Sequence, residues 1–116
     1  MVLKEIIKIL EATVITDSVD PDMQIQSACS ADMMSAVLYY HTPNSLLITG
    51  LAQLQVIRTA EIAGIKTIVF VLNKKPPENI IELAEQNKIH LLSTPLCMYT
   101  ASGKLFQAGL PSCLNK

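Results

Sequence analysis

Three short polar stretches hold the residues best suited to meet a ligand. Ser30-Ala31-Asp32, Thr49-Gly50 and Asn73-Lys74-Lys75 combine hydroxyls, a carboxylate, a glycine and two ammonium groups, and Thr94 adds one more hydroxyl. That set suits an anionic small molecule such as a nucleotide. Backbone N–H groups near Ala31, Asp32 and Gly50 would meet phosphate oxygens, Thr49 and Thr94 would supply hydroxyls, and Lys74 and Lys75 would neutralise charge. For any one Ser, Thr, Asp or Asn, helix capping is the commoner use, so the expectation rests on their convergence. Asp32 pulls two ways. At a helix start its carboxylate competes with an anion for the same dipole, and it can instead take a ribose hydroxyl, a metal ion or the role of a cap.

Other chemistry is thinner. Cys29 stands three residues before Asp32 and just ahead of an expected helix start, where a thiolate is stabilised. A metal or redox centre on Cys29 and Asp32 is therefore the competing reading, although a small buried hydrophobe is the usual role of such a cysteine. His41 and His90 have no carboxylate or thiol partner nearby in sequence, and both read as structural. Met33, Met34 and Met98 read as core fillers. Gly64-Ile65-Lys66-Thr67 enters a strand rather than leaving one, so it is no phosphate loop, and no G-x-G-x-x-G occurs among the four glycines. With no nucleophile–base pair either, no catalytic activity and no cofactor are expected.

The elements that must position these residues are legible from periodicity. Leu3, Ile6, Ile7 and Leu10 at i, i+3, i+4, i+7 predict a helix over roughly 2–11. Thr13–Thr16 and Ile25–Cys29 predict short strands. Ser30 or Asp32 is expected to cap the next helix, with Met34, Val37 and Leu38 on its buried face. From there β and α alternate: strand 46–49, helix 52–63 stopped by Gly64, strand 67–72, and a helix from Pro76-Pro77 to about Gln86. Asn87 is expected to end that helix in the left-handed region. Strand 91–94 and a final helix closed by Gly109 complete the pattern. Strand midpoints about 22 residues apart are what βαβ units require, and all-apolar strands suit a sheet covered on both faces. The expectation is an α/β fold: a three-layer sandwich with a mostly parallel sheet of about five strands. Ala60-Glu61 before Gly64-Ile65 echoes Ala84-Glu85 before Asn87-Lys88-Ile89; shared helix-stop logic explains this more simply than a duplicated ligand half.

Lengths and charges bound the rest. The 116 residues suffice for one hydrophobic core, so 1–116 reads as a single unit. Nine Lys+Arg against ten Asp+Glu leave no electrostatic footprint for nucleic acid or anionic lipid. The N-terminus lacks a secretory core, no apolar run spans a bilayer, and three cysteines without a C-x-x-C pair suit a cytoplasmic location. Half of the residues are apolar, which favours self-association as a symmetric homodimer.

Several of these segments also resemble one family in order. Ser30-Ala31-Asp32-Met33-Met34-Ser35-Ala36-Val37-Leu38 is similar to the S-D-x-M-S-x-V-L helix start of DRTGG domains. Leu46-Leu47-Ile48-Thr49-Gly50, Thr59-Ala60-Glu61-Ile62-Ala63-Gly64-Ile65, Ile81-Glu82-Leu83-Ala84-Glu85 and the stretch from Leu91 to Phe106 follow suit. The stand-alone form resembles small proteins related to the N-terminal domain of HPr kinase, often encoded beside hydrogenase genes. The resemblance implies an HPr kinase N-terminal-domain-like fold and a regulatory, non-catalytic module. In CBS-domain-regulated pyrophosphatases such a module accompanies adenine-nucleotide sensing and dimer contacts. It also leaves open a pure interaction subunit of a hydrogenase or phosphotransfer system. One departure stands out. At the eponymous segment this chain has Val71-Leu72-Asn73-Lys74-Lys75-Pro76, without either glycine.

Overall fold

A computed structural model describes residues 1–17, 19–40 and 42–114. The His41 reading falls outside these. In chain order the elements are α1 (Leu3–Leu10), β1 (Thr13–Val14), β2 (Ser27–Ser30), α2 (Met34–Tyr40) and β3 (Ser45–Thr49). They continue with α3 (Leu54–Ala63), β4 (Thr67–Phe70), α4 (Glu78–Gln86), β5 (His90–Ser93) and α5 (Met98–Gln107). The five strands form one sheet in the order β1-β5-β4-β3-β2. β2 to β5 run parallel, with Cys29 opposite Leu47, Leu47 opposite Ile68 and Ile68 opposite Leu91. β1 alone is antiparallel, pairing Thr13 with Ser93 and Val14 with Leu92.

That order explains the layers. Each crossover from β2 to β5 steps one strand in the same direction, and right-handed crossovers then put their helices on one face. Accordingly α2, α3 and α4 cover a single face. Met34, Val37, Val56, Ile57, Ala60, Ile80, Ile81 and Ala84 pack there on Leu47, Ile68, Phe70 and Leu91. The other face is left for the chain's outer helices, α1 and α5. Leu3, Ile6, Leu10, Ala101 and Leu105 pack there on Leu46, Ile48, Val69 and Leu92. Alternate residues of each central strand point to opposite faces, and both faces are dry. Hence the unbroken apolar runs of the sequence.

The helices stop in a common way. Ala12, Ile65, Ile89 and Leu110 each donate a backbone N–H to the carbonyl five residues back, at 2.8–3.0 Å, after a residue in the left-handed region. This is the Schellman stop, with a buried or half-buried apolar residue clamped behind it. It accounts for the echo between Ala60-to-Ile65 and Ala84-to-Ile89 without any duplication.

Three expectations are corrected. Lys88 (φ 58), not Asn87 (φ −95), takes the left-handed position after α4. Asn87 instead turns its side-chain amide back to the Leu83 carbonyl at 3.0 Å. Met33 is 68% exposed and no core filler, because it precedes the first turn of α2. Leu38 lies toward solvent, since the buried stripe of this two-turn helix runs through Met34 and Val37 only. Among the described residues no helix is long and apolar enough to cross a membrane.

Candidate functional site

Parallel strands end on one side of the sheet, and the expected polar stretches lie at those ends. Gly50 follows β3 and is the hub. Its backbone N–H donates to Asp32 Oδ1 at 2.8 Å, and its carbonyl accepts from Lys74 Nζ at 3.1 Å. One carboxylate and one ammonium therefore hold the two poles of a single glycine. The Thr49 hydroxyl donates to the same Asp32 oxygen at 2.8 Å and accepts the Leu51 N–H at 3.2 Å. Asp32, Thr49, Gly50 and Lys74, from the carboxyl-end regions of β2, β3 and β4, are brought into one cluster.

Asp32 does not cap α2 as expected. Its carboxylate reaches across to β3, where two donors are better placed for it. The Gly50 N–H, then the Thr49 hydroxyl, hold the Asp32 carboxyl below its ordinary value; the Lys74 charge adds to this, and partial burial opposes it. The consequence for pH has a definite sign. A carboxyl with a lowered folded-state value stabilises the fold above its unfolded value near 4, and that contribution is lost as pH falls through the lower folded value. Asp32→Ala is expected to cost about 1 kcal/mol at neutral pH, the exposed end of the range for charge-assisted bonds. The difference from wild type should shrink on acidification below pH 4. Urea melts of both proteins from pH 2 to 7 read this out, and a constant difference would contradict it.

The remaining expected residues divide. The loop after β4 crosses the site with Leu72 and Asn73 both at φ 57. Asparagine tolerates that region, whereas leucine at positive φ is strained by roughly 1 kcal/mol or more. The loop is held in place by neighbours. Leu72 and Asn73 donate N–H groups to the carbonyls of Leu96 and Thr94 at 3.0 and 2.8 Å, and the Ser93 hydroxyl donates to the Lys74 carbonyl at 3.0 Å. The turn conformation thus forms without a glycine. Lys75 is exposed beside Lys74. Ala31 has its N–H bound to the Ile48 carbonyl at 3.0 Å, and the Ser30 hydroxyl pairs with that of Ser102 at 2.6 Å.

Thr94 meets the loop after β4 through its carbonyl, but its hydroxyl is engaged elsewhere. Fully buried, its hydroxyl donates to the Leu10 carbonyl at 2.6 Å and accepts the Leu96 N–H at 3.2 Å. It ties β5 to the end of α1 and leaves no hydroxyl for a ligand. The Cys29 thiol is likewise not activated. Burial, then its neighbour Cys113, push it up to about 12. Among the described residues, no three His, Cys, Asp or Glu side chains gather to hold a metal ion.

Sequence reasoning missed two features here. One is the left-handed Leu72, for which nothing in its residue type gives a signal. The other is the open first turn of α3, whose N-cap residue Gln53 makes no side-chain cap. An absent Ser, Thr, Asp or Asn at residue 53 was the available clue.

Comparison with known proteins bears on the fold and the family. The crystal structure of the CBS and DRTGG domains of the regulatory region of Clostridium perfringens pyrophosphatase, complexed with the activator diadenosine tetraphosphate, superimposes with a TM-score of 0.72. The match has 23% sequence identity and covers 95% of this chain and 47% of the other, so this chain spans about half of that solved chain. No curated protein sequence matches significantly. The DRTGG domain family description matches residues 5–108, across α1 through α5. With the quoted segments now seen as the strands, helix starts and helix stops of one sheet, this chain belongs to the DRTGG domain family.

Proposed function

We propose that this domain is a regulatory nucleotide-binding module without catalysis of its own, its ligand lying over Gly50 beyond the ends of β3 and β4. The observation that carries the reading is the pairing of Asp32 and Lys74 on the two poles of Gly50. The DRTGG-containing pyrophosphatase region solved with diadenosine tetraphosphate supports the ligand class. The N–H of Gly50 already serves Asp32, so phosphates are assigned elsewhere: to Lys74, Lys75 and the uncapped first turn of α3. The Gly50 and Thr49 bonds both fall on Asp32 Oδ1, and Oδ2 is assigned to ribose hydroxyls.

Calorimetric titration of the full chain with mono-, di- and dinucleoside polyphosphates tests this. Lys74→Ala with Lys75→Ala is expected to weaken binding about tenfold or more, and the loss should be steeper at low salt because exposed charges are screened. Unchanged affinity, or no binding by the wild type, would overturn the site. The same reading includes self-association. Tyr99 and Phe106 on α5 are 88% and 72% exposed, more apolar surface than a helix facing only water carries. Light scattering is expected to give a dimer mass, and a monomer mass at micromolar concentration would remove this part alone.

A further inference from the structure

We propose that Cys29 and Cys113 form a reversible disulfide, a redox latch that pins the C-terminal segment to the outer edge of β2. β2 is the last strand of the sheet, and its open edge is met by residues 111–113. Ala28 donates its N–H to the Pro111 carbonyl, and Cys113 donates its N–H to the Ala28 carbonyl, both at 3.0 Å. Ala28 and Ser112 are partners in a parallel bridge. One step further along both strands, Cys29 and Cys113 fall opposite each other. Neighbouring strands are about 4.8 Å apart, inside the roughly 4.4–6.8 Å between Cα atoms that a disulfide spans. The two side chains are electrostatic neighbours as well, Cys113 helping to push the Cys29 thiol upward. Both line one cavity of about 220 Å³, open to solvent between α2 and the C-terminal segment, with Val37, Tyr40 and Leu114.

The chemistry balances with a small-molecule disulfide as oxidant. Its environment holds the Cys29 thiol protonated, so exchange opens at Cys113, whose thiol gives its proton to water. The Cys113 thiolate attacks one sulfur of the oxidant and releases a thiolate, leaving a mixed disulfide on Cys113. That released thiolate takes the Cys29 proton. Cys29 sulfur then attacks Cys113 sulfur and expels the second half as thiolate. Two protein thiols have become one disulfide, and both electrons reside on two molecules of small thiol. Cys97 cannot follow the same course. It is exposed at the start of α5 against Thr100, with no second cysteine beside it among the described residues.

The test uses the full chain equilibrated in reduced and oxidised glutathione, quenched by alkylation and mapped by mass spectrometry. Expected is a Cys29–Cys113 linked peptide, a protein two hydrogens lighter, and a Tm raised by roughly 5–10 °C, reversed by dithiothreitol. Cys97→Ser should keep all three, and Cys113→Ser, at a half-buried position outside the helices and the five strands, should fold and lose them. The latch is overturned if Cys29 and Cys113 stay alkylatable at a ratio that glutathionylates Cys97. A mixed disulfide that stops at Cys113, a link between two chains, or a linked peptide with no rise in Tm overturns it equally. None of these readouts involves a nucleotide.

Discussion

Phe70→Ala is expected to remove about 3–5 kcal/mol, a large share of the roughly 5–15 kcal/mol that holds a domain of this size. Phe70 is the largest fully buried side chain and closes β4 on the face covered by α3 and α4. No neighbouring aromatic can fill the space, because the other phenylalanine, Phe106, lies exposed on α5. Aliphatic neighbours held by three helices relax only partly around such a void. In urea the midpoint should fall with an unchanged slope, and Phe70→Leu should cost only about 1 kcal/mol. A loss below 1 kcal/mol for Phe70→Ala would mean that this face is not packed as described.

The second large effect is expected at Thr94. Thr94→Val keeps the shape and deletes the hydroxyl, which leaves the buried Leu10 carbonyl and the Leu96 N–H without their partner. The last carbonyls of a helix have no partner within it, so this hydroxyl, 84 residues away in sequence, completes the end of α1. Stranding a buried polar pair of this kind costs about 2 kcal/mol. Thr94→Ser should recover most of it. Hydrogen exchange should quicken in α1 and β5 together, and nucleotide affinity should stay as in the wild type. If Thr94→Val weakened nucleotide binding while leaving stability alone, Thr94 would belong to the site after all.

Thr94 also shows where sequence reading reached and where it stopped. Strands 46–49, 67–72 and 91–94 were legible as buried neighbours because their apolar runs are unbroken, and β3, β4 and β5 do lie side by side. The position of Thr94 at a strand's carboxyl end was equally legible. Which face its hydroxyl takes depends on the pleat, and one residue of register decides between ligand and core. Asp32 fell short for a related reason. Its type and place suit a cap, but the donors of Gly50 and Thr49 come from a strand that only the fold brings near. The edge pairing of residues 111–113 had no signal at all, since Pro111, Ser112 and Cys113 carry no strand propensity as a run.

The layering described above sets a schedule for synthesis. β2, β3, β4 and β5 emerge in the order in which they lie, so the sheet grows by one neighbour at a time, and each crossover helix closes its own stretch of the first face. The second face follows another clock. α1 is made first and α5 last, and the two pack on each other across it. Leu46, Ile48, Val69 and Leu92 therefore have only α1 to cover them on that side until Ala101 and Leu105 arrive. A nascent chain that has completed every parallel strand still offers one greasy wall to chaperones and to other unfinished chains, and only its final helix ends that exposure.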